Sequence, residues 1–291
     1  MGNPLLITDL DNTLWNWFSA WHGSFSALLR ELVGVTGLHQ DTLESEMREV
    51  HQTYGTTEYS NLLNELPSLI AWTGGPEPWT KFPGPLKTFR SERERLTRLY
   101  PDVAETLDRL KHAGFQIIAY TESVAYWTEW RIRKTGLDGV IDVLYSAPDH
   151  DLPRGMSTRD LRSRPESYYG LDRTQHRHVP RGVLKPNARV LEQIVSENGA
   201  SRNSTFYIGD SLMKDVAMAQ EAGITDIYAK YGAVAEVDYD LLRRVSHWSD
   251  EDIARERRIN QEAGHVFPTH TCDAGFKQIL EIIGLADSVG P

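Results

Sequence analysis

Near its start the chain carries an apolar run, Leu5-Leu6-Ile7, that leads into Asp9-Leu10-Asp11-Asn12-Thr13. A short continuous apolar run bounded by a polar turn fits a strand buried on both faces, as in the middle of a parallel sheet. Carboxylates at the end of such a strand lose hydration and need partners or a task. Ligands of open α/β sheets bind in the crevice outside the carboxyl ends of the strands. Asp9 and Asp11 would both face that crevice if the chain bulges after the strand. One could then serve as nucleophile or metal ligand, the other as general acid/base. The same pair also fits a helix N-cap aspartate beside a solvated loop aspartate.

The rest of the chain favours the first reading. After the strand over 4–9, residues 16–33 shift to helical spacing, with Trp17, Phe18, Trp21, Phe25, Leu28, Leu29 and Leu32 on one face. Further helices are predicted over 40–54, capped by Asp41, and near 57–71. Residues 15–99 carry no clear strand and read as an all-helical insert. The α/β alternation resumes at Tyr100, with strands over 115–120, 139–145, 204–208 and 226–229 and a last strand and helix within 265–284. Helices are expected over 102–113, 123–135, 187–198 and 213–222. Alternating strands and helices predict a mostly parallel sheet covered on both faces. Residues 148–183, polar and dotted with proline, and residues 236–262 read as inserts.

Composition narrows the function. A net charge of -10 argues against a general nucleic-acid binder. The single cysteine, Cys272, excludes an internal disulfide and a cysteine-rich zinc site, and suits a cytoplasmic location. No signal peptide and no membrane-length apolar segment are evident.

Four polar positions recur at strand ends or helix entries: Asp9 with Asp11, then Thr121, Lys185, and Asp210 with Asp215. Parallel strands put their carboxyl ends on one edge, so these side chains can converge. Each has a bland alternative: Thr121 and Asp210 as helix caps, Lys185 as a surface lysine before Pro186. As an ordered set, the chain resembles the haloacid dehalogenase-like (HAD) hydrolase superfamily, in particular its phosphatases. The resemblance rests on Asp9-Leu10-Asp11-Asn12-Thr13, on Thr121, on Lys185-Pro186 and on Gly209-Asp210 followed by Asp215. It covers about 5–14, 100–145 and 183–230.

That resemblance implies a Rossmann-like core of 1–14 and 100–291 with a helical cap over 15–99. Asp9 would attack phosphorus, and Asp11 would protonate the leaving oxygen and then activate water. Mg²⁺ would be held by Asp9, the Asp11 backbone carbonyl and Asp210, with Thr13 and Asp215 in support. Thr121, Glu122 and Lys185 would surround the phosphoryl group. Glu122 stands where many relatives carry Asn or Gly, and a second carboxylate there is unfavourable unless it faces away. Dehalogenases of the superfamily lack the acid at the Asp11 position, so Asp11 points to phosphoester hydrolysis, with a small phosphate monoester as substrate. A phosphomutase and a non-catalytic binding protein are the alternatives. Oligomeric state is not readable.

The sequence Thr13-Leu14-Trp15 followed by Trp17 is similar to small magnesium-dependent phosphatases without a large cap. The insert instead resembles the helical cap of phosphoglycolate-phosphatase-like members. Trp15, Trp17, Trp21, Tyr54 and Tyr59 are either substrate contacts or core. Nine Lys and Arg residues face three acids over 154–189, a local charge of +6 that either steers an anion or solvates a loop. His176 and His178 read as loop histidines.

Overall fold

In the computed structural model, residues 3–162, 165–233, 240–247 and 263–285 are described. Among the described residues, seven parallel strands form one sheet in the order β4-β3-β2-β1-β5-β6-β7. They are β1 (Leu5–Thr8), β2 (Gln116–Val124), β3 (Val143–Ala147), β4 (Gln175–His178), β5 (Thr205–Gly209), β6 (Thr225–Tyr228) and β7 (His270–Thr271). β1 lies at the centre, paired in register with β2 (Thr8 to Ala119) and β5 (Thr8 to Ile208).

Alternation along the strands divides the core. Leu6, Ile117, Ala119, Leu144 and Ile208 pack on one face against α6 (Val103–His112) and α12 (Ile279–Ile282). Leu5, Ile7, Ile118, Tyr120 and Tyr207 pack on the other against α9 (Ala188–Glu197) and α10 (Ala217–Glu221). The sheet is therefore buried on both sides, as all-parallel sheets require. Among the described residues, no helix is long and apolar enough to cross a membrane.

The insert after β1 is helical: α1 (Trp17–Thr36), α2 (Gln40–Tyr54), α3 (Leu62–Glu65), α4 (Pro67–Thr73) and α5 (Pro83–Leu96). It has its own apolar cluster, built on Trp21, Phe25, Leu32, Leu43, Met47, Leu66 and Phe82. Leu241, Leu242 and Val245 of α11 (Asp240–Val245) complete that cluster. The remainder of the insert expected over 236–262 lies outside the described residues.

Several local expectations are corrected. Asp41 does not cap α2; His39 holds that position without a side-chain bond, and Asp41 lies in the first turn. The helix expected near 57–71 is split at Leu66, where Pro67 begins α4, because proline cannot supply the N–H that continuation needs. The region 148–183 contains a short helix, α8 (Thr158–Leu161), and an edge strand, so His176 and His178 stand on β4 and not in a loop. β2 does not stop at Thr121: it runs to Val124 through a register irregularity after Tyr120. The helix expected over 213–222 begins with a wide π-type turn, Leu212–Val216, in which the Val216 N–H reaches Ser211 O at 3.1 Å.

Candidate active site

The chain turns sharply after β1. Asn12 takes positive φ (59°), a conformation that its short amide side chain tolerates better than most. Its backbone N–H donates to Trp15 O at 2.7 Å, and its side-chain oxygen accepts from the Phe18 N–H at 3.1 Å. Gly232 packs against this turn so closely that a Cβ there would meet Asn12 O at 1.7 Å. The turn leaves Asp9 buried and Asp11 at the rim of the crevice.

Lys185 is the hub of the crevice. Its buried ammonium donates to Asp9 Oδ1 at 2.6 Å and to Asp215 Oδ1 at 2.9 Å. Burial alone would lower its pKa, but Asp215 and Asp9 hold it well above the usual lysine value. Asp215 is itself fixed by the Tyr207 hydroxyl at 2.8 Å and the Ser211 N–H at 3.0 Å. The π-type turn brings it over Gly209, where a Cβ would meet its carboxyl carbon at 2.3 Å. Asp215 thus positions Lys185. Thr13 donates to Asp9 Oδ2 at a long 3.4 Å.

Asp9 and Asp210 emerge side by side, because β1 and β5 are paired up to Thr8 and Ile208. Burial pushes the Asp9 carboxyl up to about 7; Lys185 opposes this, while Asp215 and Asp11 add to it. Asp210 is raised well above the ordinary carboxylate value, by burial and then by Asp9 and Asp215. The crevice therefore crowds more carboxyl groups together than Lys185 alone can pair.

This donor set fits a hard divalent cation. Among the described residues, no group of three or more His, Cys, Asp or Glu side chains forms a metal cage. Mg²⁺ does not demand one: it commonly takes one or two carboxylates and fills the remaining positions with water and substrate phosphate.

Asp11 is held apart from Lys185. Trp15 Nε1 donates to its Oδ1 at 2.6 Å, and Ser123 Oγ donates to its Oδ2 at 2.6 Å. Thr121 is buried, and its hydroxyl oxygen accepts from the Ser123 N–H at 3.1 Å, which leaves the hydroxyl proton free to donate. The Glu122 carboxylate accepts from the Lys185 backbone N–H at 2.8 Å and lies 3.5 Å from Lys214 Nζ. This side chain therefore anchors the Lys185 loop.

Sequence reasoning missed Ser123, Tyr207 and the role of Trp15. A polar residue two past Thr121 and a tyrosine alternating with core residues of β5 were the available signals. The flagged aromatics are largely structural. Trp15 and Trp21 are buried, and Trp21 Nε1 donates to Thr57 O at 3.3 Å. Tyr54 and Tyr59 stack at 3.9 Å and both donate to Glu65. His176 is bonded to Glu129 at 2.9 Å and to Ser146 at 2.8 Å.

The family profile of haloacid dehalogenase-like hydrolases matches residues 4–223, from β1 past Asp215. The chain belongs to that family. This HAD-like hydrolase is 21% identical over 237 residues to the glyceraldehyde 3-phosphate phosphatase of Methanopyrus kandleri, covering 80% of this chain and 86% of that protein. Its fold matches a putative HAD hydrolase of Bacillus subtilis solved with magnesium bound, with a TM-score of 0.51, 15% identity, and coverage of 98% of this chain and 100% of that one. It also matches a 2-haloacid dehalogenase of Pseudomonas syringae pv. Tomato DC3000, with a TM-score of 0.52, 17% identity, and coverage of 98% and 99%.

Proposed function

We propose that this hydrolase is a Mg²⁺-dependent phosphatase acting on a small phosphate monoester through an aspartyl-phosphate on Asp9. The observation that carries the reading is the pairing of Asp9, bonded to Lys185, with a second carboxylate, Asp11, that is bonded elsewhere and so free of that ion pair. Halide leaves without a proton, whereas an alkoxide needs one. A second acid therefore favours phosphoester cleavage over dehalogenation. The phosphatase from Methanopyrus kandleri points the same way.

In the first step an Asp9 oxygen bonds to phosphorus as the P–O bond to the leaving group breaks, and Asp11 gives that oxygen its proton. In the second, Asp11 takes a proton from water as the water oxygen bonds to phosphorus, which releases inorganic phosphate and regenerates Asp9. Lys185 offsets charge on Asp9 and on the transferred group, and Thr121 donates to a phosphoryl oxygen. Asp9, Asp210 and the Asp11 backbone carbonyl would hold Mg²⁺, which supplies charge neutralisation at the phosphoryl oxygens. The helical insert acts as a cap that limits access and excludes water.

The test is phosphate release from a panel of monoesters with Mg²⁺, with excess EDTA, and with Asp9→Asn. Turnover that needs Mg²⁺ and disappears in Asp9→Asn is expected. Turnover that survives Asp9→Asn would overturn the mechanism. A requirement for a sugar bisphosphate would reassign the protein as a mutase.

A further inference from the structure

A second buried charge cluster lies where the helical insert meets α7 (Ala125–Lys134). Glu58, in the loop between α2 and α3, is carried by the insert. Arg131 of α7 places Nη2 at 2.5 Å from both Glu58 oxygens. Trp17 Nε1 donates to the same carboxylate at 3.2 Å, and Arg93 of α5 stands 3.8 Å away. Trp127 Nε1 ties the Glu58 backbone carbonyl to α7 at 2.7 Å. The two arginines hold the Glu58 carboxyl below its usual pKa even though burial pushes it up.

One carboxylate thus faces two guanidinium groups, and a latch between insert and sheet would need only one. The surplus has a direction. Arg131 Nη1 is shielded from solvent, has no hydrogen-bond partner among the described residues, and lies 3.9 Å from Asp11 Oδ1. A buried donor left unbonded is costly, so an arginine serving only Glu58 would be poorly placed here. It fixes a cation beside the Asp11 oxygen that Trp15 also holds, while Ser123 holds the other.

We infer that Arg131 is a positioning residue for Asp11, set in place by Glu58, so that seating the helical insert orients the Asp11 carboxylate. This rests on the proposed role of Asp11 as proton donor. It makes the insert part of the proton-transfer apparatus as well as a lid.

The experiment compares kcat/KM on glycerol phosphate, whose alkoxide must be protonated on leaving, with p-nitrophenyl phosphate, whose phenolate needs no proton. Asp11→Asn supplies the reference bias against the alkyl ester. Arg131→Met is expected to lose at least about tenfold more on the alkyl ester than on the aryl ester, a fraction of the usual effect of a general acid. Arg131→Lys should regain part of this, and Glu58→Gln should show the same bias more weakly. Equal losses on both esters in Arg131→Met and Glu58→Gln would reduce the cluster to a structural latch and overturn the inference, leaving the phosphatase reading intact. A wild-type enzyme that turns over neither ester, or an Asp11→Asn variant without bias, would remove the proposed function and the inference with it. Thermal unfolding of each variant is measured alongside. If Arg131→Met does not fold, Glu58→Gln, which keeps the shape of the side chain, decides.

Discussion

Replacing the Asp9 carboxylate with an amide should stabilise the metal-free protein at alkaline pH. Asp9 is 8% exposed, and its carboxyl is raised from 3.8 to about 7 chiefly by burial, against the pull of Lys185. The unfolded chain has no such shift. Between about pH 4 and about pH 7 the folded state therefore keeps a proton that the unfolded state has released, and stability falls as pH rises through that window. At 1.36 kcal/mol per unit of pKa, the loss is on the order of 4 kcal/mol once both states are ionised. Asparagine carries no such linkage, and Lys185 keeps Asp215 at 2.9 Å as its counter-ion. Urea unfolding in EDTA should find Asp9→Asn and wild type similar near pH 4, with the variant more stable at pH 8 by an amount approaching that figure. Taking the difference between the two proteins cancels the titrations that do not sense Asp9, whereas Asp210, which Asp9 helps to raise, relaxes toward its ordinary value in the variant. Mg²⁺ added at pH 8 should narrow the gap, because only wild type offers it an ionised Asp9. A gap that does not change with pH, or a variant less stable at pH 8, would refute the argument that Asp9 is a destabilised carboxylate.

Lys185→Met should cost about 3–5 kcal/mol in urea unfolding at pH 8, because it leaves Asp9 and Asp215 buried without their cation; a loss within experimental error would show that the triad is not energetically coupled. His51, buried with its Nδ1 2.5 Å from Val245 O, is depressed to about 4, mainly by burial. The unfolded chain gains a proton below about pH 6.5 that the folded state refuses, so stability falls as pH drops from there toward 4, and His51→Gln should flatten that limb of the pH–stability curve. Gly232→Ala should destabilise by at least about 1–3 kcal/mol, since its Cβ would strike the Asn12 carbonyl and force a backbone shift. Gly34→Ala, in α1 with nothing within 4 Å, should instead stabilise by roughly 0.5–1 kcal/mol, and equal thermal shifts for the two variants would contradict the close-packing argument.

The parts of this fold that were legible in the sequence are those whose burial is written in consecutive residues. β1 and β5, enclosed by neighbours and covered on both faces, read as apolar runs. β4 did not, because an edge strand of Gln175, His176, Arg177 and His178 has no apolar run to display. The same division holds in the crevice. Asp9, Asp11, Lys185, Asp210 and Asp215 stand where strands end or helices begin, and that placement is a local property. The bonds from Ser123 to Asp11 and from Arg131 to Glu58 join residues 112 and 73 positions apart. Nothing in the sequence pattern around either residue announces its partner. The Glu122 side chain shows the converse: its type looked wrong for a phosphate pocket until the Lys185 backbone N–H supplied a use for it.

α11 has a bearing on how this architecture could be re-engineered. Among the described residues, the apolar cluster of the insert draws on residues 17–89 and then on Leu241, Leu242 and Val245, which fill it beneath α2. Arg244 reaches Glu44 at 2.7 Å, and the His51 contact with Val245 adds a second tie. The apolar body of the insert is thus assembled from two stretches separated in sequence by most of the sheet. Grafting residues 15–99 onto a related scaffold would transfer an incomplete body with an open apolar underside, and deleting them would strand α11 with its leucines bare. A transplant that keeps its shape has to move both segments together.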